Sequence, residues 1–212
     1  MPSSYLRDGF TRIQAVFGTV VLLVLFGVFI AVVSNYLKLH GTAHALENAR
    51  TLNTLLAQYA TDNDGVYPVG ENTRAEGKSE GIALDLLQNN YTPNADVFTV
   101  GSTPRYAGTA KDYADLAPEN ISWDFTAGAN ATTGIKADAP DMLPVFYTTG
   151  ETMNYRMGAD LTLSGSGPFG THGAVVALKS GEVYYHQAMY NIIPCFVPTT
   201  FQGTGTYTQI KP

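Results

Sequence analysis

Charge is scarce in this chain. Only 14% of its 212 residues are Asp, Glu, Lys or Arg, and residues 13–37 contain none of them. Basic residues are the scarcer kind, 12 against 18 acidic, leaving a formal net charge of −6. Without a basic stripe to neutralise phosphates, no nucleic-acid partner is expected. Cysteine is nearly missing too. Cys195 stands alone, so no intramolecular disulfide can form. Placed between Pro194 and Phe196, it reads as a buried, inert thiol rather than an intermolecular bridge. Between Phe10 and Pro68 there is no proline, so nothing of that kind breaks a helix over this stretch.

What fills the charge-free stretch is Val, Leu, Phe, Ile and Ala. As a helix, residues 13–37 would reach about 37 Å, enough to cross a hydrocarbon core of about 30 Å with some tilt. A cleaved secretory signal would have a shorter apolar region, of about 7–15 residues, closed by a small-residue site. Val33-Ser34-Asn35-Tyr36 is a poor version of that site, so a membrane span is the expectation. Arg7 and Arg12 precede the run while the chain beyond it is acidic, which orients the span with its N-terminus inside and the rest outside.

Helical spacing continues past the run. Leu46, Ala49, Leu52, Leu56 and Tyr59 form one stripe, widened by Ala45, Leu55 and Ala60. Glu47, Asn48, Arg50, Asn53 and Gln58 are assigned to the other face. The spacing therefore predicts one long helix from about Phe10 to Thr61, with a bend or softening at Gly41. The turn formers Asp62, Asn63, Asp64 and Gly65, with Pro68 beyond, should end it.

From Asp62 onward the chain is rich in Gly, Thr, Tyr and Pro. A short helix is expected over Ser79–Gln88, with Ser79 as its cap and Ile82, Leu86 and Leu87 on its apolar face. Strands are expected at 97–100, 121–125, 143–148 and 153–157. A hairpin should join 174–179 to 182–187 through a two-residue turn, Ser180-Gly181. The tail from Ile192 reads as irregular covering or an exposed extension. The fold class is α+β: a long N-terminal helix, transmembrane and then amphipathic, packed on a small antiparallel sheet in a loop-rich head.

The junction Arg7-Asp8-Gly9-Phe10-Thr11 resembles the processing site of type IV prepilins. The stretch from Leu46 to Tyr59, followed by Ala60-Thr61-Asp62-Asn63-Asp64-Gly65-Val66-Tyr67-Pro68, is similar to the segment that closes the long helix in type II secretion pseudopilins of the G type. The likeness extends to the large pilin-like families of planctomycetes and verrucomicrobia. Looser matches occur at 94–100, without the Cys-Pro those families often carry, and at the 173–186 hairpin. The resemblance implies a leader at 1–9 cleaved between Gly9 and Phe10 and a filament-core helix at 10–41. An exported head at 42–212 would include the rest of the long helix. It also implies assembly through Phe10, Gln14 and Phe17. The family's glutamate at the fifth mature position is here Gln14, and its mid-helix proline is absent.

Other chemistry is weaker. His40, His44 and Glu47 fall near one helix face but would leave a metal shell open, so no metal is expected. Asp62, Asn63 and Asp64 lack the remaining oxygens of a calcium loop and are assigned to the turn itself. His172 and His186 have no nucleophile motif beside them. The glycines of 165–170 lack a strand–loop–helix setting. Asn90, Asn120 and Asn130 open N-glycosylation sequons, relevant only in a host with that machinery. No catalytic activity and no cofactor are expected. The expected function is a structural subunit of a type IV pilus-like or pseudopilus filament. Its partners would be itself, the inner membrane before assembly, the prepilin peptidase and the assembly machinery. The alternative is a single-pass anchored binding or adaptor domain that never polymerises.

Overall fold

The structure is a computed structural model, and it describes residues 12–70, 75–101, 103, 106, 113, 115–155, 160–187, 192–194 and 207–212. Among the described residues there are two α-helices, α1 at Arg12–Asp62 and α2 at Ser79–Gln88. Eight strands follow: β1 Trp123–Ala127, β2 Pro144–Thr148, β3 Thr152–Asn154, β4 Asp160–Thr162, β5 Gly173–Leu178, β6 Val183–Gln187, β7 Ile192–Pro194 and β8 Thr208–Ile210. The class is α+β, as expected. The chain divides into two compact units, Met1–His40 and Gly41–Pro212.

In the second unit a five-stranded antiparallel sheet runs in the order β6-β5-β2-β1-β8, and β3-β4-β7 forms a smaller sheet. The stripe on the last turns of α1 exists because the sheet needs a cover. Ala45, Ala49, Leu52, Leu56 and Ala60 share one core with Ile82, Leu86, Trp123, Phe125, Phe146, Val175 and Ala177. The opposite face of the sheet is also covered. Tyr147, Ala174, Val176 and Leu178 pack with Met153, Leu161 and Leu163 from the β3–β4 layer. Residues of β5 alternate between the two cores, as the two-residue period of a strand requires.

Trp123 lies edge-on to Phe146, ring centres 5.2 Å apart, and its indole N–H donates to the Val97 carbonyl at 2.9 Å. That bond gives a fully buried polar tip its partner. It also draws the 95–98 segment, a turn of 3-10 helix where a strand was expected, onto the core.

α1 ends where its sequence says it should. The Gly65 amide donates back to the Ala60 carbonyl at 2.7 Å, and the Asn63 side chain donates to the Tyr59 carbonyl at 2.8 Å. Both bonds satisfy carbonyls that the last turn leaves open.

Four further expectations are corrected. Asn53 is buried and its amide donates to the Leu178 carbonyl at 3.1 Å. It thus belongs to the packed face of α1, because the contact surface is wider than its apolar stripe. Ser79 does not cap α2. The cap position is Lys78, and the Ser79 hydroxyl donates to the Ile210 carbonyl at 3.0 Å.

The hairpin register differs by one residue from the expected pairing. Ala174 faces His186 and Ala177 faces Val183, so the loop is three residues long, Lys179-Ser180-Gly181. Gly181 adopts φ +95, the left-handed conformation that a three-residue hairpin loop places at this position. Asp141 also pins the loop. Its carbonyl accepts from the Ser180 amide at 2.8 Å and its carboxylate pairs with Lys179 at 3.1 Å.

Finally, the tail is not mere covering. β7 and β8 are paired strands, and Ile210 lies in the main core.

Candidate functional site

Gly9 and Phe10 lie outside the described residues. In the first unit, Gln14 is exposed and Phe17 is 71% exposed. Thirteen large apolar side chains between Val16 and Val32 stand open, the least exposed being Val21 at 40%. They include consecutive residues, such as Leu22 to Phe26, so they point all round the helix rather than along one stripe. Among the described residues, no helix is long and apolar enough to cross a membrane. The unbroken described side chains, 16–30, make about 22 Å of helix against a hydrocarbon core of about 30 Å.

Asp62 is the last residue of α1; Asn63 and Gly65 make the bonds that close it, and Asp64 lies between them at φ +53. Asn63 and Asp64 also line an open cleft of about 420 Å³ with Tyr59, Tyr67, Thr132 and Thr133. His44 and Glu47 are exposed, and the side chain of His40 lies outside the described residues. No group of three or more His, Cys, Asp or Glu able to hold a metal occurs among the described residues. His172 is exposed, whereas His186 lies on β6 with its ring 6.2 Å from that of Tyr184. Asn120 is buried, its side-chain oxygen accepting from the Ala117 amide at 3.0 Å, while Asn130 gathers the hydroxyls of Thr132 and Thr133. Cys195 lies outside the described residues.

Sequence reasoning missed the most unusual chemistry in the head. Asp124 on β1 and Glu151, just before β3, are both buried, on the sheet face that meets the β3–β4 layer. Asp124 accepts from the Thr149 hydroxyl at 2.6 Å and from the Gln209 side chain at 2.7 Å, and also from the Gly150 backbone. The same Gln209 nitrogen donates to the Glu151 carbonyl at 2.7 Å, and the Ser164 amide donates to the Glu151 carboxylate at 2.7 Å. Burial pushes the Asp124 carboxyl up to about 6, against the lowering effect of Thr149, Gln209, Lys211 and Gly150. Burial pushes Glu151 up to about 7. Ser164 opposes that rise, Asp124 adds to it, and Lys211 opposes it from a distance. Such a pair can hold and release protons near neutrality. The signal for Asp124 was a carboxylate set between Trp123 and Phe125 in an expected strand. Glu151, beside Gly150 in a polar stretch, gave none.

No protein-family model, no curated protein and no solved structure matches this chain.

Proposed function

We propose that the chain is a structural subunit of a pilin-like filament, held in the inner membrane by its N-terminal helix before assembly. The observation that carries this reading is the open apolar surface of α1. Thirteen large apolar side chains are exposed there. Full burial of one such side chain is worth about 1.5–3 kcal/mol, so even at half weight the surface forgoes more than about 10 kcal/mol in water. That matches the entire stability of an ordinary domain, about 5–15 kcal/mol. Such a helix has to be surrounded, by lipid or by other apolar helices. A filament that draws its subunits out of a membrane supplies both in turn.

The leader-like junction at Gly9-Phe10, the helix-closing residues 62–68 and the α+β head support the same reading. In it the protein acts by assembly rather than catalysis, with copies of itself, a prepilin peptidase and an assembly machinery as partners. The anchored adaptor that stays single is the second reading; the same apolar surface supports an anchor, and the leader-like junction with the helix-closing residues favours the filament.

One preparation separates the two. Material sheared from the surface of the native host is imaged for filaments and analysed by mass spectrometry. The filament reading expects filaments containing this chain, beginning at Phe10. An intact Met1–Gly9 leader on assembled material rules out the processing step. Recovery of the chain from membranes alone leaves the adaptor.

A further inference from the structure

The open cleft where α1 ends, about 420 Å³, falls within the size range of small-ligand sites, about 300–1,000 Å³. Its walls are held from behind. The Tyr67 amide donates to the Ile135 carbonyl at 2.9 Å, and Val66 is bridged to Lys136. Gly134 lies so close to the Tyr67 backbone that a side chain there could not fit. Val66 lines the cleft with 36% of its surface open, the one large apolar side chain so exposed among the described residues of the second unit.

The polar groups that line it are left with acceptors rather than donors. The Thr132 and Thr133 hydroxyls give their protons to the Asn130 Oδ1, at 2.9 and 2.7 Å, so what remains to each is lone pairs. Asn63 donates through Nδ2 to the Tyr59 carbonyl at 2.8 Å and to the Tyr91 hydroxyl at 3.5 Å. A backbone carbonyl cannot donate, so nitrogen is the atom that meets it, and Oδ1 is left to accept. Asp64 is an exposed carboxylate, set at φ +53 by the turn that follows α1. Backbone donors are engaged as well. The Val66 and Thr133 amides bond to the Asn63 and Asn130 carbonyls, the Tyr67 amide to that of Ile135, and the Thr132 amide to the Asn130 Oδ1. Among the described residues that line the cleft there is no Lys, Arg or His.

We propose that this cleft binds an alkylammonium group, the end of a lysine side chain or of a small amine, with Asp64 as its counter-ion. An ammonium carries three donors and no acceptor, the complement of a lining that mostly accepts. Its charge meets a carboxylate, and a charge-assisted bond is roughly twice as strong as a neutral one. Val66 offers apolar surface to the stem, in the way that long cationic side chains cover apolar groups while their charge stays in water. An anion would find neither a cation nor a spare amide among these groups. A neutral polyol would meet the carboxylate without the charge to match it.

The test is NMR of the full chain in nonionic detergent micelles, titrated with Nα-acetyl-lysine methylamide and, separately, with cadaverine. Nα-acetyl-norleucine methylamide, with the same kind of stem and no ammonium, is the control. At least one amine should shift the amide signals of residues 63–67 and 132–134 saturably, with a Kd at or below about 10 mM, and the norleucine derivative should bind about tenfold more weakly or worse. Asp64→Asn keeps the shape and tolerates the left-handed backbone, and should weaken binding about tenfold or more. Raising the salt from about 0.01 M to about 1 M should weaken it in the parent chain too, whatever the variant does to folding. Binding of the lysine derivative alone assigns the site to a peptide, and binding of cadaverine, with it or without it, to small amines. Saturable shifts with neither amine overturn the proposal. So do shifts confined to other parts of the head, a norleucine derivative that binds as well, or binding indifferent to both Asp64→Asn and salt.

Discussion

Asn53 gives the sharpest test of how the head is packed. Its side chain crosses from α1 to the end of β5, where Nδ2 donates to the Leu178 carbonyl at 3.1 Å. Removing it by Asn53→Ala deletes one neutral hydrogen bond, worth about 0.5–1.5 kcal/mol. The Leu178 carbonyl is not orphaned, because the Gly181 amide also donates to it at 3.0 Å. The loss should therefore stay near 1 kcal/mol. Asn53→Asp keeps the shape but turns a donor into a buried anion facing a carbonyl oxygen. Lys179, the adjacent cation in sequence, is already paired with Asp141 at 3.1 Å. An uncompensated buried charge costs about 3–5 kcal/mol.

The aspartate can escape by staying protonated, so its carboxyl would be raised above the ordinary value in the fold. The sign follows. The extra penalty is absent below the unfolded value near pH 4, grows as pH rises, and is complete at neutral pH. Urea unfolding of the full chain in micelles can be followed through Trp123, the only tryptophan and fully buried. Measured against the parent at each pH, Asn53→Asp should lie well below Asn53→Ala at pH 7 and close to it at pH 4. Equal stability of the two variants at pH 7 would refute the buried, donating placement of Asn53.

Three further outcomes are expected. Leu52→Asp, at a fully buried position of the same helix, should cost several kcal/mol and unfold the head, whereas Thr54→Asp on the exposed face should melt within about 0.5 kcal/mol of the parent. Asn48→Ala should cost about 1–2 kcal/mol, since its side chain donates to the Asp96 carbonyl at 2.8 Å and to that of Thr99 at 3.0 Å; urea midpoints decide this. For assembly, Phe17→Ala should lower the amount of the chain in sheared filaments relative to membranes while Gln14→Ala leaves it nearly unchanged. Loss of incorporation by Gln14→Ala in a folded protein would make Gln14 the contact that registers neighbouring subunits.

What could be read in advance was whatever local chemistry decides. α2 occupies the residues its apolar spacing marks, and α1 ends at its cluster of turn formers, because capping and periodicity act within a few residues. The strands β1, β2 and β5 were placed to within a residue or two at their ends. β2 and β5 are buried on both faces and lack the polar alternation of a half-exposed strand, whereas β1 alternates Trp123, Phe125 and Ala127 with Asp124 and Thr126 although both its faces are buried. The segment at 97–100 looked like another such run. What decides it is the distant Trp123 indole taking the Val97 carbonyl, and no local pattern records that. The hairpin slip has the same origin. Asp141, 38 residues before Lys179, holds the loop and fixes its length at three. The Gln209 bridge between Asp124 and Glu151 was invisible for a related reason. Gln209 is an ordinary residue in a polar tail, and its role exists only because Asp124 and Glu151 lie beneath it.

Asn48, Asn53, Ser79 and Gln209 share one physical logic. Each carries a neutral polar side chain that crosses between elements to a backbone carbonyl or a carboxyl of another element. Apolar residues decide that α1 and the sheet meet, but contact between greasy faces is nearly indifferent to a shift of one residue. A hydrogen bond of about 3 Å is not indifferent, because a shift of a single residue breaks it. These four side chains therefore fix where α1, the 95–98 turn, α2 and the C-terminal strand sit within the head. Removing any one should loosen one junction while the apolar core persists, whereas Leu52→Asp attacks the core itself. Local hydrogen exchange against global unfolding separates the two classes. If a single amide or hydroxyl deletion lowered protection uniformly across the head, the polar crossings would be part of the core's cooperative stability, and this division of labour would not exist.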